Sequence, residues 1–350
     1  MSFIALIFIA GFVVSKFFGD DIKRLAIKEI NKQLVVPLDI SEDDVHFSVL
    51  RNFPNASVTI ENIKMRESFA GATGNVLEIG EVSLLFSPWG LIRKKYKIKS
   101  VVIKDGVVNL VKRGNGEINY QFWKQASGGA SSGSSDKLKL TLDEARLENV
   151  AVSYFSEKDR QLVEILLDDV TLSGALGQDK NELHIEAETF VKNLHLGDVN
   201  YLQDKPLDCN ISIENDLLEK TFDFKNSDLS IGDNLFEIGG GIKTEFGTEL
   251  DLFVKASEID LASFFQLLPE SFAAGMADIE SSGEFFFDAA ITGMTGRGKN
   301  PTIKVDFGVN DGEIAHANFS EEITDVSFRA SYDNGKLGNL KTSSVKVDNF

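Results

Sequence analysis

The feature that most constrains this sequence is an alternation of apolar and polar residues, which recurs in short runs along most of its 350 residues. Successive side chains of a β-strand point to opposite faces, so this period predicts strands with one apolar face. Polar turn segments, such as residues 52–55 and 71–75, separate the runs. We therefore predict a mainly β fold whose strands pair as an elongated, curved antiparallel sheet with a few short helices.

Two dipeptides predict where the chain reverses. Asp105-Gly106 lies between two runs rich in β-branched residues, and Asn334-Gly335 lies between two later runs. Both dipeptides are strong signals for a tight β-hairpin turn. In addition, Pro88 cannot donate to a strand ladder and predicts the end of the strand before it.

The N-terminal residues predict a membrane anchor. Residues 2–18 are apolar except for two serines and Lys16. A spanning helix needs about 20 apolar residues, with a usable minimum of about 17. We therefore predict a single transmembrane anchor at residues 1–18, although the flanking charges leave its orientation open.

Two further segments have helical patterns. Residues 20–34 place apolar side chains on one helical face, and Pro37 bars continuation. This helix is predicted to cap the sheet or to lie on the membrane. Residues 261–268 predict a short connecting helix with Asp260 as its N-cap.

A Gly/Ser-rich stretch at residues 127–135 is either a domain boundary or the tip of a long hairpin. We favour the hairpin, because the residues on both sides share one strand pattern. The strand pattern continues to the last residue, so we expect a longer protein. The predicted segments are the anchor at 1–18, the helix and first β section at 19–126, the loop at 127–136, a middle β section at 137–258 and a C-terminal β section at 259–350.

Composition excludes several classes of function. The net charge of −18 argues against nucleic acid as a partner and against a polybasic hold on anionic lipid. The single cysteine, Cys209, cannot form an internal disulfide, and it is predicted to lie on the apolar face.

No residue pattern supports catalysis or metal binding. The four histidines have none of the spacing that metal sites use, and His184 and His195 are predicted to face outward. Gly129, Ser131 and Gly133 match an esterase motif, but they lack the strand and helix which that motif requires. We predict a protein that is not an enzyme and that needs no cofactor or metal.

An antiparallel sheet with one apolar face must bury that face. A second sheet, covering helices or a bound apolar ligand could each do so, and helical pattern is scarce here. On the residues alone a β-sandwich core is favoured over a lipid groove. The inward-facing positions that would line such a groove are Val82, Leu84, Phe86, Val101, Ile103, Val108, Leu110, Leu138, Leu140 and Leu142.

The order of several motifs resembles the AsmA family of bacterial envelope proteins, which is related to TamB and chorein-type lipid-transfer proteins. The resemblance rests on the N-terminal apolar stretch, Phe53-Pro54, Asp105-Gly106 and Gly116-Glu117-Ile118-Asn119, with a later segment beginning at Glu258 (EIDLASFFQLLPES). The basic residues usual before the span are absent, and the C-terminal part of the family pattern is cut short.

The resemblance implies a body in the periplasm, tethered to the inner membrane by the N-terminal helix. It implies a β-groove that holds phospholipid acyl chains, with a role in outer-membrane biogenesis and lipid homeostasis. It also reverses the preference for a sandwich core. The alternative is a scaffold without enzymatic activity, with a closed sandwich core, that holds envelope protein partners.

Overall fold

The computed structural model describes residues 31, 35–48, 51–87, 89, 98–122, 143–174, 180–245, 247–269, 278–295, 299–318, 321–335 and 342–349. Of these residues, 73% lie in strands, which confirms the mainly β prediction. The anchor predicted at 1–18 lies outside the described residues, as does the helix predicted at 20–34 apart from Asn31. Within the described ranges, no helix is long and apolar enough to cross a membrane.

The chain divides into two compact units, Met1–Gly177 and Gln178–Phe350. The strands of the first unit are β1 Val45–Ser48, β2 Ala56–Arg66, β3 Asn75–Phe86, β4 Ile98–Lys112, β5 Glu144–Ser156 and β6 Gln161–Gly174. A short 3-10 turn at Glu42–Asp44 precedes β1.

The second unit contains nine described strands and one described helix. The strands are β7 Lys180–Leu196, β8 Val199–Asp216, β9 Thr221–Ile231, β10 Asn234–Lys243, β11 Thr248–Asp260, β12 Ile279–Thr295, β13 Thr302–His316, β14 Ile323–Asp333 and β15 Ser344–Asn349. The helix, α1, spans Leu261–Phe265.

Within each unit, every strand pairs with the next strand in the sequence, so the strand order is that of a meander. The pairs of the second unit are antiparallel, as predicted. In the first unit β4 and β5 are instead parallel, with Ser100 opposite Glu144. Parallel neighbours need a crossover connection, and the hairpin tip predicted at residues 127–135 lies outside the described residues.

The hairpin predicted at Asp105-Gly106 is wrong, because β4 runs through both residues without reversing. Asp105 has a φ of 54°, and this left-handed conformation shifts the alternation by one residue. Ile103 and Val108 are five residues apart, so a regular strand would place them on opposite faces. The shift at Asp105 places them on the same face.

Near the C-terminus, Asn334 and Gly335 do not form a two-residue turn, since β15 begins only at Ser344. The Asn334 side chain is buried. It accepts a hydrogen bond from the Ile303 amide at 2.9 Å and donates one to the Pro301 carbonyl at 2.9 Å.

The short helix α1 confirms the prediction at residues 261–268, although it ends at Phe265. Asp260 caps it, since its Oδ1 accepts a hydrogen bond from the Ser263 amide at 3.0 Å. Leu261 is buried in the largest apolar cluster of the second unit, which also contains Phe236, Ile259 and Phe285.

In each unit the described strands form one open sheet, not two stacked sheets. The closed sandwich core of the alternative prediction therefore does not describe these strands. In the first unit the fully buried residues lie mainly in β1, β2 and the start of β3, with Leu38 and Ile40 packed against them.

Candidate apolar binding face

The apolar positions of the first unit line up across its strands in register. One row joins β1 to β6, and a second row runs parallel to it. The first row is Val45, Ile60, Val82, Ile103, Leu147 and Val170, and the second is Phe47, Val58, Leu84, Val101, Ala145 and Leu172. We call this surface the unit 1 apolar face.

Burial changes along this face. At β1 and β2 the first row is covered, and both Val45 and Ile60 are buried. From β3 to β6 the same row is only half-buried, at Val82, Ile103, Leu147 and Val170. This part of the face is therefore less covered than the part at β1 and β2.

The opposite face of the same strands is charged. A row of Glu61, Glu81, Lys104, Glu148 and Asp169 crosses β2 to β6. Lys104 pairs with Glu148 at 2.6 Å. The two faces of the sheet are thus chemically distinct.

One ion pair on the charged face shifts a pKa. The Arg146 Nε lies 3.1 Å from the Asp169 Oδ1. This hydrogen bond lowers the pKa of Asp169 below its usual value. The ionised carboxylate is therefore the favoured form on this face.

Seven of the ten predicted groove residues can be located, and all seven are half-buried. Five of them pack against the apolar cluster at β1 and β2, namely Val82, Leu84, Phe86, Ile103 and Val108. Leu110 packs against a second cluster with Tyr120 and Phe122. Val101 lies in the second row of the face. Leu138, Leu140 and Leu142 lie outside the described residues.

The second unit has an apolar face of the same kind. One row crosses six strands, through Ile238, Val254, Ala289, Val305, Tyr332 and Val345. The neighbouring row on the other face is polar, through Glu237, Lys255, Asp288, Asp306, Ser331 and Lys346. We call the first surface the unit 2 apolar face.

A cavity of about 460 Å³ lies between α1 and this face. Its lining is apolar apart from Tyr332, and six phenylalanines dominate it, namely Phe264, Phe265, Phe285, Phe287, Phe307 and Phe328. The Phe264 ring stacks on Phe285 with centroids 3.8 Å apart. An apolar cavity of this size accepts a hydrocarbon group and offers no charge to a headgroup.

Sequence reasoning placed no groove residue in this cavity. The available signals were the Phe285-Phe286-Phe287 run and Phe264-Phe265. They become one site only because α1 follows β11 directly and folds its phenylalanines over β12.

The apolar faces contain little reactive chemistry. Cys209 is half-buried opposite Ala187 and Leu229, as predicted, and burial raises the pKa of its thiol. His184 is exposed, and its Nδ1 lies 2.8 Å from the Ser212 Oγ. In the described part of the chain, no three His, Cys, Asp or Glu side chains are grouped so that they could hold a metal ion.

A scan against protein-family models finds no match for this sequence. A search of curated proteins finds no match either.

Proposed function

We propose that this protein binds lipid acyl chains along its apolar faces, as a lipid-binding or lipid-transfer protein. The observation that carries the proposal is the apolar row of each unit, which in the first unit is half-buried from β3 to β6, together with the 460 Å³ apolar cavity beneath α1. The resemblance to the AsmA family supports it, and extends the proposal to a membrane-anchored protein of the bacterial periplasm that acts in outer-membrane lipid homeostasis.

The energetics favour a hydrocarbon ligand. Moving one CH₂ group from water to an apolar site gains about 0.8 kcal/mol. Several methylenes in contact with Val82, Ile103 or Phe307 would therefore bind without any charged contact. The unit 1 apolar face and the cavity beneath α1 are both proposed to accept chains in this way.

The alternation of the strands supplies a matched test. A photo-crosslinking amino acid placed at Ile103 or Val305 lies on an apolar face, whereas one at Lys104 or Asp306 lies on the polar face of the same strand. We expect Ile103 and Val305 to capture phospholipid in cells. Mass spectrometry of the labelled protein measures the capture.

The control positions differ from the test positions by one residue, so local strand stability is matched. Capture at Lys104 and Asp306 should be several times weaker. No lipid at any of the four positions, or equal capture on both faces, contradicts the proposal. If lipid is captured at Val305 but not at Ile103, binding is restricted to the cavity beneath α1.

A further inference from the structure

The cavity beneath α1 is longer along its strands than across them. Its lining follows β13 from Val305 to Ile314, a stretch that rises by up to about 30 Å at roughly 3.3 Å per residue. Across the sheet, the lining strands extend from β12 to β15, which is about 14 Å at the usual strand spacing. An elongated apolar space of this kind fits a linear hydrocarbon chain better than a compact ring system.

The two sides of the cavity differ in how far they are covered. On the side next to α1, Leu261, Phe285 and Val309 are all buried in one apolar cluster. On the other side, Val345 of β15 is 64% exposed. The cavity is therefore closed beneath α1 and open towards β15, so a chain can enter it from the β15 side.

The volume of the cavity limits how much hydrocarbon it can hold. An apolar cavity of about 150 Å³ binds one benzene molecule, which has six carbon atoms. The cavity beneath α1, at about 460 Å³, is roughly three times as large and therefore has room for about 18 carbon atoms at the same density. That amount corresponds to one long acyl chain and not to two.

The lining offers no partner to a polar headgroup. Only hydrocarbon groups face the space, and a polar group that enters such a site without a hydrogen-bond partner costs free energy. The polar end of a bound chain would therefore remain outside the cavity, on the open side near Val345.

We infer that the cavity beneath α1 holds a single linear acyl chain of up to about 18 carbon atoms, with its methyl end against α1 and its polar end near Val345. A phospholipid would place one of its two chains here. This inference rests on the proposed function, and it adds a limit on chain length at one site.

Capture at the open side measures chain length at this site alone. A photo-crosslinking amino acid replaces Val345 in the full-length protein, where the exposed position leaves the cavity volume unchanged. Each methylene inside the cavity adds binding free energy, so the protein is incubated with an equimolar mixture of saturated fatty acids of about 10 to about 24 carbons. Mass spectrometry of the adducts gives the captured lengths. We expect capture to rise up to about 18 carbons and then to stay level.

Two substitutions should move this limit in opposite directions. Val326 and Phe328 both line the cavity. Val326→Phe adds about four carbon atoms to the lining and should shorten the limit by a similar number. Phe328→Leu removes about three and should lengthen the limit by a similar number, and it tests the inference even if the larger side chain prevents folding.

A matched control makes the same enlargement elsewhere. Val82→Phe adds the same carbon atoms on the unit 1 apolar face and should leave the limit measured at Val345 unchanged. Circular dichroism confirms that each variant retains its strands. Fragmentation of the adducts should place the crosslink in the carboxyl half of the captured chain.

Four results would overturn the inference. Capture that keeps rising up to the longest chain would show that the cavity does not limit length. A limit of about nine carbons would indicate two chains side by side. A limit that neither Val326→Phe nor Phe328→Leu moves would place the chain elsewhere. Crosslinks spread evenly along the chain would contradict its orientation.

Failure of this inference can be distinguished from failure of the proposed function. Each of the four results still shows a captured acyl chain, so each leaves the proposed function standing. Capture at Ile103 without capture at Val345 likewise overturns the inference alone. Absence of capture at Ile103, Val305 and Val345 together contradicts the proposed function as well.

Discussion

Asn119 connects two neighbouring segments of the first unit through its side chain. It is 1% exposed, and its Oδ1 accepts a hydrogen bond from the Val111 amide at 2.7 Å. Its Nδ2 donates to the Asn109 carbonyl at 2.9 Å and to the Glu67 Oε1 at 3.1 Å. One amide group therefore satisfies both backbone groups at the end of β4.

We predict that Asn119→Ala lowers the free energy of unfolding by about 1–3 kcal/mol, because it leaves buried backbone groups unpaired. Asn109→Ala is the control. The Asn109 side chain is exposed, and its change should stay within about 0.5 kcal/mol. Urea unfolding of both variants measures the difference, and similar midpoints for the two would contradict the role of Asn119.

At the scale of the element, α1 packs over part of the unit 2 apolar face and so forms one wall of the cavity. The helix has only five residues, too short to be stable alone. Its position depends on the Asp260 cap and on the Phe264 ring stacked against Phe285. The cap and the stacking therefore hold α1 in its place at the cavity.

We predict that Asp260→Ala destabilises the second unit by about 1 kcal/mol, because the Ser263 amide loses its acceptor. Asp260→Asn keeps an acceptor of the same shape and should cost only a few tenths of that. Thermal unfolding of the full-length protein measures both variants. Equal loss in Asp260→Asn and Asp260→Ala would show that the negative charge, not the cap geometry, matters.

Strand β4 shows why a local signal misplaced a turn. Asp105-Gly106 has the composition of a tight turn, yet the strand continues because residues on both sides pair with β3 and β5. Gly106 fits between Ile79 and Val150, where an added Cβ would lie 2.6 Å from the Ile79 Cδ1. Pairing with β3 and β5 therefore keeps this dipeptide inside a strand. Its local preference for a turn could not predict that outcome.

At the scale of the whole molecule, the proposed function predicts how binding affinity depends on the chain length of the ligand. Each added methylene contributes about 0.8 kcal/mol, so affinity for single-chain fatty acids should rise about fourfold per CH₂. The cavity lining has no charged side chain, so this trend should change little with salt. Displacement of a fluorescent fatty acid from the full-length protein measures it.

Two results would contradict this prediction. Affinity that stays constant with chain length, or affinity that falls steeply with salt, would place the ligand on the charged faces. The row of Glu61, Glu81 and Lys104 would then be the site to examine.

The sequence by itself determined the mainly β class, the approximate positions of most described strands and the apolar side of each regular alternating run. These follow from local alternation, because a side chain's face depends only on its place in its own strand. The short helix and its Asp260 cap were predictable for the same local reason. Predicted residues such as Val82 and Ile103 therefore lie on the apolar face of the structure.

Only the tertiary structure decided how far that face stays open. The parallel pairing of β4 and β5, the shift at Asp105 and the placement of α1 over Phe285 all depend on residues far apart in sequence. The cavity beneath α1 also depends on the register of β12, β13 and β14, which brings their apolar side chains together. Register is set by pairing between strands, so a pattern within one strand could not specify it.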